Sequence, residues 1–224
     1  MFSGRFEPLS GTDPCGNKAT FTYKVAPTVP IQLGSNKTLR GKGSAGWIKG
    51  KGLRILGAAN IIIQNVRFSD MNQQYVWGGD ALTLHGGSKI WIDHNYFKDV
   101  GRQFIVSGFN PTTQVTISNN YFDGRAYFHD ISGHALDAAV GSRVLFEGNY
   151  IESVKTPTLG DPKGALFAPT SASMNAQCAS AIGRNYVSNT LVSSGSLINA
   201  ANSGVLGDFK QVLPKSQSFL PLAN

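Results

Sequence analysis

The amino-acid sequence predicts an all-β chain wound as a single-stranded right-handed parallel β-helix. Four segments superpose without gaps: Asn60–Asp70 (NIIIQNVRFSD), Lys89–Asp99 (KIWIDHNYFKD), Gln114–Gly124 (QVTISNNYFDG) and Arg143–Ser153 (RVLFEGNYIES), with starts 29, 25 and 29 residues apart. Three of them carry Asn at one offset (Asn95, Asn120, Asn149), then Tyr (Tyr96, Tyr121, Tyr150). Phe68, Phe97, Phe122 and Ile151 share the next position. A second register runs between them: GDALTLHGGSK from Gly79, GRQFIVSGF from Gly101 and GHALDAAVGSR from Gly133, each a Gly, a polar residue and an apolar strand.

Each element follows from that periodicity. Coils of 22–29 residues with two or three short strands and no helical period build a parallel solenoid, and the hairpins of a β-sandwich do not generate them. Alternation along a strand sends Ile90 and Ile92 inward and Trp91 and Asp93 outward. His94 then points away from Asp93 as a corner residue, so no coupled Asp–His pair is expected. The recurring Asn suits a bend that tolerates the left-handed region and bonds its neighbour in the next coil. The recurring Phe stacks inside, and Trp47 is expected to pack. From Thr156 onward a loop-rich cover is expected along the outside, with a short helix within Asn175–Gly183.

Composition bounds the rest. A single domain over residues 1–224 is expected, because 41% hydrophobic and 15% charged residues argue against disorder. The net charge of +7 suits an acidic partner. Basic residues are scattered apart from Lys37–Lys51, which argues against nucleic acid. No run reaches the length of a membrane span, and Met1–Phe6 lacks the apolar segment of a signal peptide. Cys15 and Cys178 are too far apart in sequence to assign as a disulfide, and no CxxC or His/Cys metal spacing occurs.

Asp80, Arg102 and His134 follow the three glycines and are expected to form one vertical file, with successive coils ~4.8 Å apart. Asp93 is expected to reach that file from its side. Two readings stand: a surface salt-bridge ladder contributing about 0–1 kcal/mol, or a carbohydrate cleft. Outward Trp77 and Trp91 beside fixed charges favour the cleft, since they suit the apolar face of a sugar ring.

The stretches YVWGGDALTLHGGSKIWIDHNYFKDVGRQFIVSG, VTISNNYFDG, GHALDAAVGS and EGNY resemble the pectin lyases of fungi and oomycetes, in the pectate/pectin lyase superfamily. The similarity runs from about Gln32 to Asp161 and more loosely to the C-terminus. It implies a secreted, extracellular, monomeric enzyme that cleaves methyl-esterified polygalacturonan (pectin) by β-elimination without a metal. Arg102 and Asp93 match cleft residues with a catalytic part, and Trp77 and Trp91 match aromatic substrate contacts; Asp80 and His134 are expected to bind substrate as members of the file. The resemblance also implies a segment between Asn120 and Gly133 that carries the base arginine in a GRxP element. No GRxP occurs here, and by the resemblance roughly two coils and the amino-terminal part of the domain are expected to be absent. A shortened helix, weak or absent lyase activity and no bridge from Cys178, whose partner position holds Tyr186, are therefore expected. The alternatives are a non-catalytic pectin-binding protein and a calcium-dependent pectate lyase.

Overall fold

The computed structural model describes residues 2–5, 20–73, 78–108, 110–124, 134–159 and 164–209. Strands β1 (Phe2–Arg5) and β2 (Thr20–Tyr23) form an antiparallel pair. All later strand pairs between named strands are parallel and make a three-faced coil of about five turns, as the repeat predicts. In chain order the first turn holds β3 (Ile31–Leu33), β4 (Lys37–Arg40) and β5 (Trp47–Lys49). The second holds β6 (Leu53–Gln64) and β7 (Arg67–Ser69), the third β8 (Leu82–Asp93) and β9 (Tyr96–Lys98). The fourth holds β10 (Ile105–Ser107), β11 (Thr112–Ser118) and β12 (Tyr121–Asp123); the fifth β13 (His134–Ala138), β14 (Arg143–Glu147) and β15 (Tyr150–Glu152). Three strands follow: β16 (Thr156–Thr158), β17 (Ala165–Phe167) and β18 (Thr190–Val192).

The long β6 and β8 each cross two faces and bend at Gly57 (φ 61°) and Gly86 (φ 71°). Their first halves lie on the first face with β3, β10, β13 and β16, and their second halves on the second face with β4, β11, β14 and β17. At the bend a Cβ on Gly87 would stand 2.3 Å from the Ala58 carbonyl oxygen, so the backbones pass where only glycine fits.

The register of the four repeats is the one the sequence gives: Ile61 faces Ile90, Ile90 faces Val115 and Val115 faces Val144. Phe68, Phe97 and Phe122 are fully buried and stack at 5.0 and 5.1 Å with rings within 9° of parallel. Corners turn on left-handed residues at fixed stations. One station holds Asn36, Asn60, Lys89 and Gln114 (φ 54–59°); another holds Asn65, His94, Asn119 and Gly148 (φ 53–62°). The expectation placed the left-handed conformation on Asn95, Asn120 and Asn149, but it lies one residue earlier.

These three asparagines are instead buried and form a ladder that continues to Asn189. Each Nδ2–H donates to the Oδ1 of the next asparagine at 3.0 Å, along Asn95, Asn120, Asn149 and Asn189. The same oxygens accept the backbone N–H of the preceding rung at 2.9–3.0 Å. Such amide chains satisfy the buried polar groups at each corner.

The cover contains helix α1 (Ala172–Ile182), which begins three residues before the expected start. The Ser171 hydroxyl accepts the Met174 N–H as an N-cap, and Gly183 (φ 78°) ends the helix. Cys178 is free and buried beside Tyr186, Leu145, Phe167, Val205, Leu206 and Phe209. Arg143 ties the cover to the coil by donating from Nε to Asp208 at 2.5 Å. Among the described residues no helix is long and apolar enough to cross a membrane. Cys15 lies outside the described residues.

Candidate functional site

The outer side of the first face carries the polar file that the glycine register suggested, shifted by one residue. Leu82 faces Ile105, and Ile105 faces Leu136, which places Gln103, not Arg102, between Asp80 and His134. The cause is Phe104. This register buries it in one file with Ala81 and Ala135, all at most 1% exposed, whereas alignment on the glycines would set Gln103 against Ala81.

Gln103 holds the file together. Its backbone N–H donates to Asp80 Oδ1 at 3.1 Å, and its Nε2–H donates to Asp137 Oδ2 at 3.1 Å and faces His134 Nδ1 at 3.5 Å. Its side chain is buried, and its Oε1 and Asp137 Oδ1 have no donor among the described residues. Arg102 leans over the file: its Nε lies 3.9 Å from Asp80 Oδ1, and its side chain is 47% exposed. Burial raises the Asp80 pKa, with Arg102 and the Gln103 N–H opposing and Asp137 adding. Burial lowers that of His134; Asp137 opposes this and Arg102 adds to it. The first face thus presents a carboxylate that resists ionisation, an open guanidinium and a neutral imidazole. Gln103 and Asp137 were not singled out in the sequence. Counting back from the buried Phe104 instead of forward from Gly101 would have found Gln103.

Asp93 does not join this group. It ends the second-face half of β8, in an outer file with Gln64, Ser118 and Glu147. Its carboxylate accepts from Gln64 Nε2 (2.9 Å), Ser118 Oγ (2.8 Å) and Asn119 Nδ2 (3.0 Å), and is 1% exposed. His94 Nδ1 lies 2.7 Å from Asp93 Oδ2, so the two do pair, contrary to expectation. Alternation fails there because His94 is left-handed (φ 53°), which swings its ring back over the strand end. Trp91 shares this second-face group, its Nε1–H donating to Ser118 Oγ at 2.9 Å. Trp77 and Gly133 lie outside the described residues. Trp47 packs edge-on against Tyr96, with Lys49 and Arg67 over its ring.

A carboxylate so fully occupied is a corner tie. Asp93→Asn, which puts an NH2 among donors, is expected to cost about 1–3 kcal/mol of stability. Urea unfolding of the variant and the native chain checks it; unaltered stability would show that the carboxylate does not hold the corner.

Among the described residues no three His, Cys, Asp or Glu side chains converge as a metal site. A family model described as pectate lyase matches residues 16–159. The chain is 37% identical to a protein named probable pectin lyase F-2 of Aspergillus terreus, covering 87% of this chain and 52% of that one. It is likewise 37% identical to one named probable pectin lyase F-1 of the same fungus, covering 95% and 71%. The chain thus spans about half the length of the first of these curated relatives. That alignment runs over 251 positions, more than the 224 residues of this chain, so the relative carries stretches that this chain skips. A solved chain from work on substrate specificity and the anti beta-elimination mechanism of pectate lyase matches with a TM-score of 0.41 and 18% identity, over 80% of this chain and 62% of that chain.

Proposed function

The chain belongs to the pectate lyase family, and from that premise we propose that it is a secreted pectin-lyase-type protein that binds methyl-esterified polygalacturonan along its first face and cleaves it only weakly. The observation that carries this reading is Arg102, half exposed beside a desolvated Asp80 at one end of a polar file.

β-Elimination asks three things of a site. A base takes the C5 proton, whose acidity comes from the adjacent C6 carbonyl; charge develops on that carbonyl oxygen; and the C4–O bond breaks as the C4–C5 double bond forms. Arg102 is suited to the second task, since a guanidinium beside the developing oxyanion stabilises it. It is poorly suited to the first, because its reference pKa lies above 12. No GRxP element supplies another arginine. A missing general base removes about 10²–10⁴-fold in rate.

Highly methylated pectin tests both halves. Binding is expected, with absorbance of the unsaturated product rising at least ~10²-fold more slowly than for a full-length relative. Turnover equal to such a relative would overturn the impairment, and absence of binding would overturn the substrate. Arg102→Ala is expected to weaken binding by about 10–100-fold, the range for one charge-assisted contact. Unchanged affinity would move the cleft off this face.

A further inference from the structure

We propose that His134 sets the preference of the first-face cleft between methyl-esterified and free uronosyl residues, by presenting a neutral N–H donor that becomes a cation on protonation. The proposal rests on the polysaccharide reading above and concerns the regulation of that same cleft.

Three observations carry it. First, β13 pairs directly with β10, so His134 stands one rung from Gln103, which stands one rung from Asp80, with Arg102 leaning over them. Second, Gln103 fixes the tautomer. Its amide donates to the Asp137 carboxylate at 3.1 Å, so the group facing His134 Nδ1 at 3.5 Å is an NH2. Nδ1 is then the acceptor and the ring proton sits on Nε2. Third, the imidazole is half-buried, and Nε2 has no partner among the described residues.

Such a ring donates one hydrogen bond without carrying charge. It serves the carbonyl of a methyl ester, and a bare carboxylate gains no ion pair from it. Protonation at Nδ1 ends acceptance from Gln103 and adds a positive charge, which favours the free carboxylate. The charged groups acting on the ring are Arg102 from the neighbouring rung and Asp137 on its own strand; Asp80 stands two rungs away, and Lys155 lies beside the β16 partner Thr156. Burial, aided by Arg102, keeps the pKa below its ordinary 6.5, so the neutral form prevails at pH 7 and the switch lies on the acid side. Uronate carboxyls are still ionised at pH 5.

The experiment measures the affinity of the whole chain for high-methyl and low-methyl polygalacturonan from pH 7.5 to 4.5. The ratio favouring the ester is expected to fall about five- to tenfold on acidification. His134→Gln, a permanently neutral donor, should hold the ratio at its neutral-pH value, and His134→Lys should hold it low throughout. By linkage, the low-methyl polymer should also raise the imidazole pKa read from its ring proton resonances. A ratio that does not move with pH in the native chain, or that moves equally in His134→Gln, overturns the assignment. Failure to bind either polymer at any pH would instead overturn the polysaccharide reading beneath it.

Discussion

Asn120→Ala is expected to destabilise the chain by about 3–6 kcal/mol and to lower the melting temperature by about 10 °C or more. The side chain sits mid-ladder at 1% exposure. Its Oδ1 accepts both the backbone N–H and the Nδ2–H of Asn95, and its Nδ2 donates to the Ile92 carbonyl and to Asn149 Oδ1, each at 2.9–3.0 Å. Alanine removes all four bonds and leaves the Asn95 N–H buried without its acceptor. A buried orphan costs about 1–3 kcal/mol, more than the net gain from making the bond. Asn120→Asp keeps the acceptor but loses the donor, and should fall between the two. A melting temperature for Asn120→Ala within 3 °C of the native chain would show that the ladder decorates the corners without holding them.

Arg184→Ala is the second large effect, because it strands a carboxylate. Glu147 is 4% exposed and receives two bonds from Arg184, at 2.7 and 3.1 Å, while the guanidinium lies 4.4 Å over the Tyr186 ring. Breaking a fully buried pair costs roughly 3–5 kcal/mol; with the Arg184 side chain 46% exposed, about 2–4 kcal/mol is expected at pH 7. Acid should relieve it. Burial already raises the Glu147 pKa, and Arg184 opposes that rise. Without Arg184 the folded pKa climbs further, so the charged form is penalised above it and the penalty fades as pH falls toward the ordinary 4.5. Urea unfolding at pH 7 and pH 5 should therefore show a smaller gap between variant and native chain at pH 5. A gap that is constant, or that widens in acid, would contradict the assignment of Glu147 as the stranded group.

The coil was readable because its repeats are self-similar. Ile61, Ile90, Val115 and Val144 recur with the same neighbours, and pairing a strand one residue out of step would turn its whole apolar set outward. The site was less readable, since it depends on where each strand begins. Gly101 suggested Arg102 as the partner of Asp80, but burial of Phe104 shifts the stretch and inserts Gln103. The pairing of His94 with Asp93 is hidden for a related reason: alternation holds along a strand and stops at a left-handed corner, which His94 occupies. Asn189 escaped notice because it lies 40 residues after Asn149, beyond α1, and is followed by Thr190 instead of tyrosine. Sequence spacing cannot show that a detour through a helix returns to the same ladder.

The cross-coil bonds have a consequence for length. Each rung of the asparagine ladder and each stacked phenylalanine touches its equivalent one turn away, so the molecule behaves as a one-dimensional stack with nearest-neighbour coupling. Size in such a stack is quantised. Whole turns can be added or removed while the flanking periods stay in phase, but a fraction of a turn sets every amide against a methyl group. A chain that matches only part of a longer relative can thus keep the same cross-section turn by turn.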